Sequence, residues 1–310
     1  MIFLDDPAIE QLFSYQEFVP LLKEFLTHEV AVPDRSHFSV PVPGSEEATL
    51  LTMPSWVVGE YMGVKIVSVF PGNQDLPSIQ GVYLLMSAQT GEILATMDGA
   101  ALTRKRTAAV SALASSLLSL PTTHNMLMVG TGTLCYELIQ AHASVRPLER
   151  VEIWGRNGAK AAAKAGGLGI PGVYISSTQD LARSCTQADL ISVATLSDRP
   201  LVYGEWLGSQ AYLDLVGSYK PHTREADDAC LRGANMIVDT TRALTESGDL
   251  AIPLAEGVIS EADILSDLST LCREGVPTMD ASRIVFKSVG FAAPDLAAAV
   301  YLYQKSKTHD

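Results

Sequence analysis

From residue 125 onward the chain repeats one pattern, a short continuous apolar run followed by a stretch with helical spacing. The run Asn125–Val129 leads into a helical stretch over 133–145, and the run 151–154 into an alanine-rich one over 159–165. Runs at 172–175, 189–194, 211–216 and 236–238 read as further strands, with 224–232 predicted helical between the last two. Strands without polar alternation must be covered on both faces, and parallel strands need a crossover between them. Helices of this length supply both. This part of the chain is thereby confined to a parallel sheet between helical layers, an α/β architecture.

Upstream of Pro121 the pattern differs. Runs at 48–53, 64–70 and 82–88 alternate with turns, and Gln89-Thr90-Gly91-Glu92 predicts a tight turn into a strand at 93–97, so an antiparallel meander is expected. Ala109, Leu113, Ser116, Leu117 and Leu120 then fall at helical spacing, which predicts a buried helix over 102–120 ended by Pro121. Residues 253–274 read as a helical connection with a capping-box-like start, Ser260-Glu261-Ala262-Asp263. A strand at 283–286 and a helix over 295–305 close the chain, and spacing alone assigns them to neither half.

Composition narrows the function classes. The 310 residues suffice for two domains, and 47% hydrophobic against 18% charged describes a globular chain. With 22 basic and 35 acidic side chains the net charge is −13, which argues against a nucleic-acid partner, since phosphate binding rests on Lys and Arg. Cys135, Cys185, Cys230 and Cys272 lack metal-site spacing and read as free buried thiols, so no metal is expected. The N-terminus is acidic where a signal peptide is basic, and no apolar run approaches ~18–20 residues, so a cytoplasmic protein without a membrane partner is expected.

The sharpest local signal is Val129-Gly130-Thr131-Gly132-Thr133-Leu134-Cys135, between a predicted strand and a predicted helix. Glycines at such a turn let backbone approach a pyrophosphate at a helix N-terminus, and the context is that of a Rossmann dinucleotide site, although Cys135 stands where a third glycine would be. The next strand ends Ile153-Trp154-Gly155-Arg156-Asn157. No carboxylate is present there to bind a ribose 2′-hydroxyl, and Arg156 offers a planar fork suited to phosphate. This favours NADP(H), with NAD(H) left open. A solvated loop residue is the plain alternative for Arg156.

Several blocks, in order and over nearly the whole chain, resemble the ornithine cyclodeaminase/mu-crystallin family. They are Met53-Pro54-Ser55 with Tyr61-Met62-Gly63-Val64-Lys65; Thr90-Gly91-Glu92 with Met97-Asp98-Gly99, Leu102-Thr103 and Arg106-Thr107-Ala108-Ala109; the glycine loop with Trp154-Gly155-Arg156; Val216-Gly217-Ser218 with Pro221 and Arg224-Glu225; and Phe286-Lys287-Ser288-Val289-Gly290 with Asp295-Leu296-Ala297. The resemblance implies a homodimer with a Rossmann domain over 121–283, and a discontinuous α+β substrate and dimerisation domain from 1–120 and 284–310. It places the active site between the two domains. It implies that Arg35 and Arg106 hold a substrate carboxylate, that Lys65 is catalytic, and that Thr107, Gly130, Thr131, Gly132, Thr133, Leu134, Arg156, Asn157, Thr195 and Ser288 contact the cofactor.

The residues alone leave each cation two readings. Lys65 is either a buried catalytic group or an edge lysine facing water, Arg35 sits in an ordinary polar loop, and Arg106 stands beside Arg104 and Lys105 in what could be a solvated basic turn. One departure bears on the reaction. Cyclodeaminases of the family carry an Asp two residues before the proline matched by Pro221, and here Tyr219 stands there, a phenol that is no low-pKa base at neutral pH. Asp214 and Asp227 are the nearby carboxylates open as replacements, and His222 reads as a turn residue. The expected activity is therefore NAD(P)H-dependent reduction of a small cyclic imino acid such as Δ1-pyrroline-2-carboxylate. The alternatives are ornithine cyclodeamination to proline and ammonia with recycled NAD, an alanine-dehydrogenase-like activity, and a non-catalytic NADPH-dependent binding protein.

Overall fold

Residue alternation in the N-terminal third and apolar continuity in the middle produce two different sheets. A computed structural model describes residues 1–280 and 282–308. By internal contacts the chain separates into two units, Met1–Thr107 together with the chain from Phe291 on, and Ala108–Gly290.

The first unit contains β1 (Ile2–Leu4), α1 (Asp6–Leu12), α2 (Tyr15–Phe25), β2 (Ser36–Val40), β3 (Ala48–Trp56), β4 (Tyr61–Val69), β5 (Ile79–Ser87) and β6 (Ile93–Asp98), and α3 (Gly99–Leu118) starts in it and runs past its boundary. The sheet order is β1-β6-β5-β4-β3-β2, antiparallel except for β1 beside β6. Register sets Lys65 opposite Met53 on one side and Tyr83 on the other, with Met97 opposite Tyr83. Paired residues share a face, so these four form one buried row across the sheet. Sequence patterning did not show β1, α1, α2 and β2. Asp5 caps α1 by accepting from the Ala8 N–H, with Pro7 in its first turn.

The second unit runs through β7 (Asn125–Val129), α4 (Leu134–Ala143), β8 (Arg150–Trp154), α5 (Gly158–Gly167), β9 (Tyr174–Thr178), α6 (Leu181–Gln187), β10 (Leu190–Val193), β11 (Tyr212–Leu215), α7 (Asp228–Leu231), β12 (Asn235–Val238), α8 (Ala243–Glu246), α9 (Gly248–Ala255), β13 (Ile264–Asp267), α10 (Leu268–Glu274) and β14 (Ile284–Lys287). All eight strands are parallel, in the order β9-β8-β7-β10-β11-β14-β12-β13. Leu127, Val129, Ile191, Val193, Leu213, Leu215, Val238 and Val285 belong to its core. Strand order reverses between β7 and β10, and ligands of doubly wound sheets bind at the carboxyl ends of strands at such a point. The last helix, α11 (Ala292–Thr308), belongs to the first unit, where it packs on β3–β6.

Two predicted elements are corrected. The helix expected over 224–232 is only Asp228–Leu231, because the Glu225 and Ala226 N–H groups donate to Asp249 Oδ1 (2.7 and 3.2 Å) and Asp227 acts as the cap. The helical connection expected over 253–274 is broken by β13, which pairs with β12. The capping box of Ser260 and Asp263 does form, on a single 3₁₀ turn ahead of that strand. Among the described residues no helix is long and apolar enough to cross a membrane, the four cysteines are buried and free, and no cluster of His, Cys, Asp or Glu could hold a metal.

Candidate functional site

In the first unit, Lys65 lies in the middle of β4 with its side chain on the covered face, 3% exposed. Its Nζ lies 3.0 and 2.9 Å from the two Asp295 carboxylate oxygens and 3.4 Å from Thr103 Oγ1. Thr103 spends its own hydroxyl proton on the Gly99 carbonyl (2.6 Å), so it accepts from Lys65. Arg106, on α3, donates from Nε to Asp295 Oδ1 at 2.9 Å and is also buried. Asp295, in the first turn of α11, is completely buried. Arg35, half-buried ahead of β2, lies within electrostatic range of Lys65. Burial is the largest influence on the Lys65 ammonium. Together with the Arg106 charge, and to a lesser degree Arg35, it pushes the pKa down to about 8, against the opposing pull of Asp295. Neither plain reading of these cations survives: Lys65 is no edge residue, and Arg104 and Lys105, not Arg106, make the outward contacts, with Asp6 (2.6 Å) and Glu10 (2.7 Å).

Lys65 and Arg106 share one buried carboxylate, and with Arg35 within range of Lys65 the three cations leave an excess of positive charge. Such a cluster suits a small carboxylate, which two guanidinium groups can grip and orient.

In the second unit, the glycine loop follows β7 and opens α4. Gly130 adopts φ +130°, and a Cβ there would overlap the Ala194 carbonyl oxygen, so only glycine allows the turn to lie against the end of β10. Gly132 has open space where a Cβ would be, which leaves the loop backbone approachable. Thr131, Gly132 and Thr133 are solvent-accessible, and Leu134 begins α4. Beside this loop a pocket of about 330 Å³ is lined by Trp154, Gly155, Arg156, Gly158, Ala159 and Gln179. Arg156 is exposed, whereas Asn157 Oδ1 accepts from the Lys160 N–H (3.0 Å) and caps α5. The cradle of small residues, the adjoining cavity and a guanidinium on its wall together fit a dinucleotide.

The turns after β10, β11 and β14 are held by buried carboxylates that sequence reasoning missed. Glu225 accepts from Thr195 N–H (2.6 Å), Thr195 Oγ1–H (2.9 Å), Gly217 N–H (2.7 Å) and Ser218 N–H (3.0 Å). Burial pushes its carboxyl up to about 7, opposed by Lys287 and by the Thr195 hydrogen bonds. Asp239 accepts from Val289 N–H (3.1 Å) and Gly290 N–H (2.6 Å), which fixes the turn just after the buried Ser288. Beneath them Lys287 Nζ pairs with Asp249 Oδ2 at 3.2 Å.

The structure thus brings Lys65, Arg106 and Arg35 into one cluster, with Thr107 adjacent to Arg106 on α3. Gly130, Thr131, Gly132, Thr133, Leu134, Arg156, Asn157, Thr195 and Ser288 all follow the carboxyl ends of parallel strands in the second unit. Asp295 carried a signal, a lone carboxylate in an alanine-rich helix. Glu225 was part of a family block but its role was not readable, since it comes from backbone groups the side chain meets only in three dimensions. Neither carboxylate considered as a replacement at the Tyr219 position is available. Asp214 is completely buried and accepts from Ser111 (3.0 Å) and Ser192 (2.7 Å) beside His142 (3.2 Å), and Asp227 accepts from Gly204 N–H and Cys230 N–H. Tyr219 is exposed, with Lys220 over its ring.

Comparison with known proteins finds relatives that cover most of the chain. The Δ1-pyrroline-2-carboxylate reductase of Colwellia psychrerythraea is 34% identical over 306 residues, 96% of each chain. The ketimine reductase mu-crystallin of Mus musculus is 34% identical over 268 residues, 85% of this chain and 82% of that one. The structure of Thermococcus litoralis Δ1-pyrroline-2-carboxylate reductase, in complex with NADH and L-proline, superposes with a TM-score of 0.90 at 29% identity, covering 100% of this chain and 98% of that one. Residues 5–310 match the sequence pattern of one family throughout, and the chain belongs to the ornithine cyclodeaminase/mu-crystallin family.

Proposed function

We propose that this chain is an NAD(P)H-dependent reductase that converts a small cyclic imino acid of the Δ1-pyrroline-2-carboxylate type to the amino acid. The observation that carries the reading is the buried pairing of Lys65 and Arg106 on Asp295, with Arg35 within range of Lys65, which supplies both a carboxylate grip and a proton donor. A nicotinamide dinucleotide is the cofactor, and its reduced ring supplies hydride when bound. In this reading Arg35 and Arg106 orient the substrate carboxylate and Lys65 Nζ gives a proton to the imine nitrogen. Gly130–Leu134 with Thr107, Arg156, Asn157, Thr195 and Ser288 are the proposed cofactor contacts, Asn157 and Thr195 chiefly through backbone because their side chains are engaged elsewhere. The proposed assembly is a homodimer. Tyr219, and the engagement of Asp214 and Asp227, support reduction over cyclodeamination. The direct test supplies purified protein with NADPH and a panel of five- and six-membered cyclic imino acids. Absorbance loss at the nicotinamide band is expected, and no turnover on any member removes the reading.

Two further outcomes follow. Arg106→Gln is expected to raise KM for the imino acid by roughly 10- to 100-fold, the worth of one charge-assisted hydrogen bond to a carboxylate, with a much smaller change in KM for NADPH. For the cofactor we propose a preference for NADP(H), supported by Arg156 at the pocket and by the lack of a carboxylate at the end of β8. Arg156→Ala should then weaken NADPH binding by roughly 10-fold or more and leave NADH binding nearly unchanged. Equal losses for both dinucleotides, read by fluorescence titration, would contradict the preference.

A further inference from the structure

The mechanism above needs Lys65 charged, yet most of its surroundings oppose the charge. The groups facing it are Arg106 from α3, Arg35 from the segment before β2, Thr103 from α3, Tyr83 from the neighbouring strand β5 and Asp295 from α11. The two guanidinium groups repel an ammonium, and the covered face strips it of water. Tyr83 lends no charge, because burial and the nearby Asp295 hold its phenol well above the usual range. Thr103 is a neutral acceptor at 3.4 Å. Among these groups Asp295 alone is anionic, and it meets Lys65 with both oxygens, at 3.0 and 2.9 Å.

We propose that Asp295 is a positioning residue of this site: its carboxylate, shared between Lys65 Nζ and Arg106 Nε, keeps Lys65 as the ammonium and aims it before substrate arrives. The inference rests on the reductase reading and adds the residue that makes Lys65 a proton donor. In the step it serves, the imine carbon takes hydride from the reduced nicotinamide and the imine nitrogen takes a proton from Lys65 Nζ. The C=N π bond is replaced by new C–H and N–H bonds, and the neutral lysine amine regains its proton from water. Asp295 touches neither reacting atom. Its oxygens spread over one ammonium hydrogen, and the Thr103 oxygen takes a second, which leaves the third for the imine nitrogen.

Substrate brings a second carboxylate, so Asp295 matters most in the free enzyme. This gives a signature that a merely structural role would not produce. In the wild type, kcat/KM for the imino acid should be full below about pH 8 and fall above it, as the buried lysine loses its proton. Asp295→Asn removes the attraction that raises the lysine pKa, so that fall should move at least one unit toward acid in kcat/KM, and less in kcat. A second readout needs no turnover. Calorimetry of pyrrole-2-carboxylate, a planar ring that cannot accept hydride, in two buffers of different ionisation enthalpy counts the protons taken up on binding. Near pH 7 the wild type should take up little, while Asp295→Asn should approach one proton, because its lysine is neutral until the anion arrives.

An unmoved pH profile together with unchanged proton uptake overturns the role of Asp295 and leaves the reductase reading standing. Absence of turnover in the wild type overturns the reductase reading, while the proton count still reports on Asp295. If Asp295→Asn does not fold, Asp295→Glu decides: with charge kept and aim lost, the limb should stay near pH 8 and kcat should drop on the order of 10-fold. An unchanged kcat in that variant overturns the aiming role.

Discussion

Lys65→Ala lowers the rate of imine reduction by on the order of 10²- to 10⁴-fold and leaves dinucleotide binding and the fold intact. The size is that of removing a positioned general acid. The fold survives because the deletion leaves Arg106 and Asp295 still paired at 2.9 Å, so no buried carboxylate is stranded without a cation. The vacated volume lies between Met53 and Tyr83 in the buried cross-strand row, and Lys65→Met, which keeps that packing, should lose activity equally. Whatever residual rate remains should show no fall near pH 8, since the titrating group is gone. Stopped-flow measurement of NADPH oxidation separates this from a binding defect. A residual rate within about tenfold of the wild type would assign the proton to another group.

The second large effect concerns stability rather than chemistry. Asp214→Ala should destabilise the second unit by about 3–5 kcal/mol, because it removes the centre of a buried polar network. Asp214 accepts from Ser111 and Ser192 and faces His142 Nε2, and His142 Nδ1 lies 3.0 Å from Ser115 Oγ. None of these groups reaches water, so each partner left behind keeps its desolvation cost. A fall of roughly 10 °C in the melting temperature is expected. The side-chain sequence Ser115, His142, Asp214 imitates a nucleophilic triad, but Ser115 also donates to the Ala112 carbonyl and is sealed from substrate. A loss below about 1 kcal/mol would mean that the site relaxes or admits water.

Much of this architecture was legible from pattern. The central parallel strands are short, largely apolar runs of four or five residues, and their spacing from helices identified nearly all of the strands of that sheet, with Asn125–Val129 placed to the residue. Elements held by long-range contacts were not legible. β13 is the four residues Ile-Leu-Ser-Asp, too short for any period, and it is a strand because β12 lies beside it. The stretch 224–227 has helical composition but is drawn out by Asp249. The site shows the same division. Lys65 and Arg106 could be singled out by resemblance, and only the fold settles that they are buried and share Asp295. The role of Glu225, quoted only within a family block, was not readable because three of its four donors are backbone N–H groups, which no side-chain pattern encodes.

The place of β14 has a consequence for how the protein is made. It lies between β11 and β12, so the ribbon of β12 and β13 joins the remaining sheet through a strand that is synthesised after both of them. A nascent chain that stops before Ile284 carries two apolar strands with unpaired facing edges, and these attract chaperones or one another until the gap is filled. The next segment to emerge is α11, which brings Asp295 to the side chains of Lys65 and Arg106. Completion of the sheet and delivery of the buried counter-ion thus both wait for segments made after the elements they complete, and a chain cut before Ile284 lacks both.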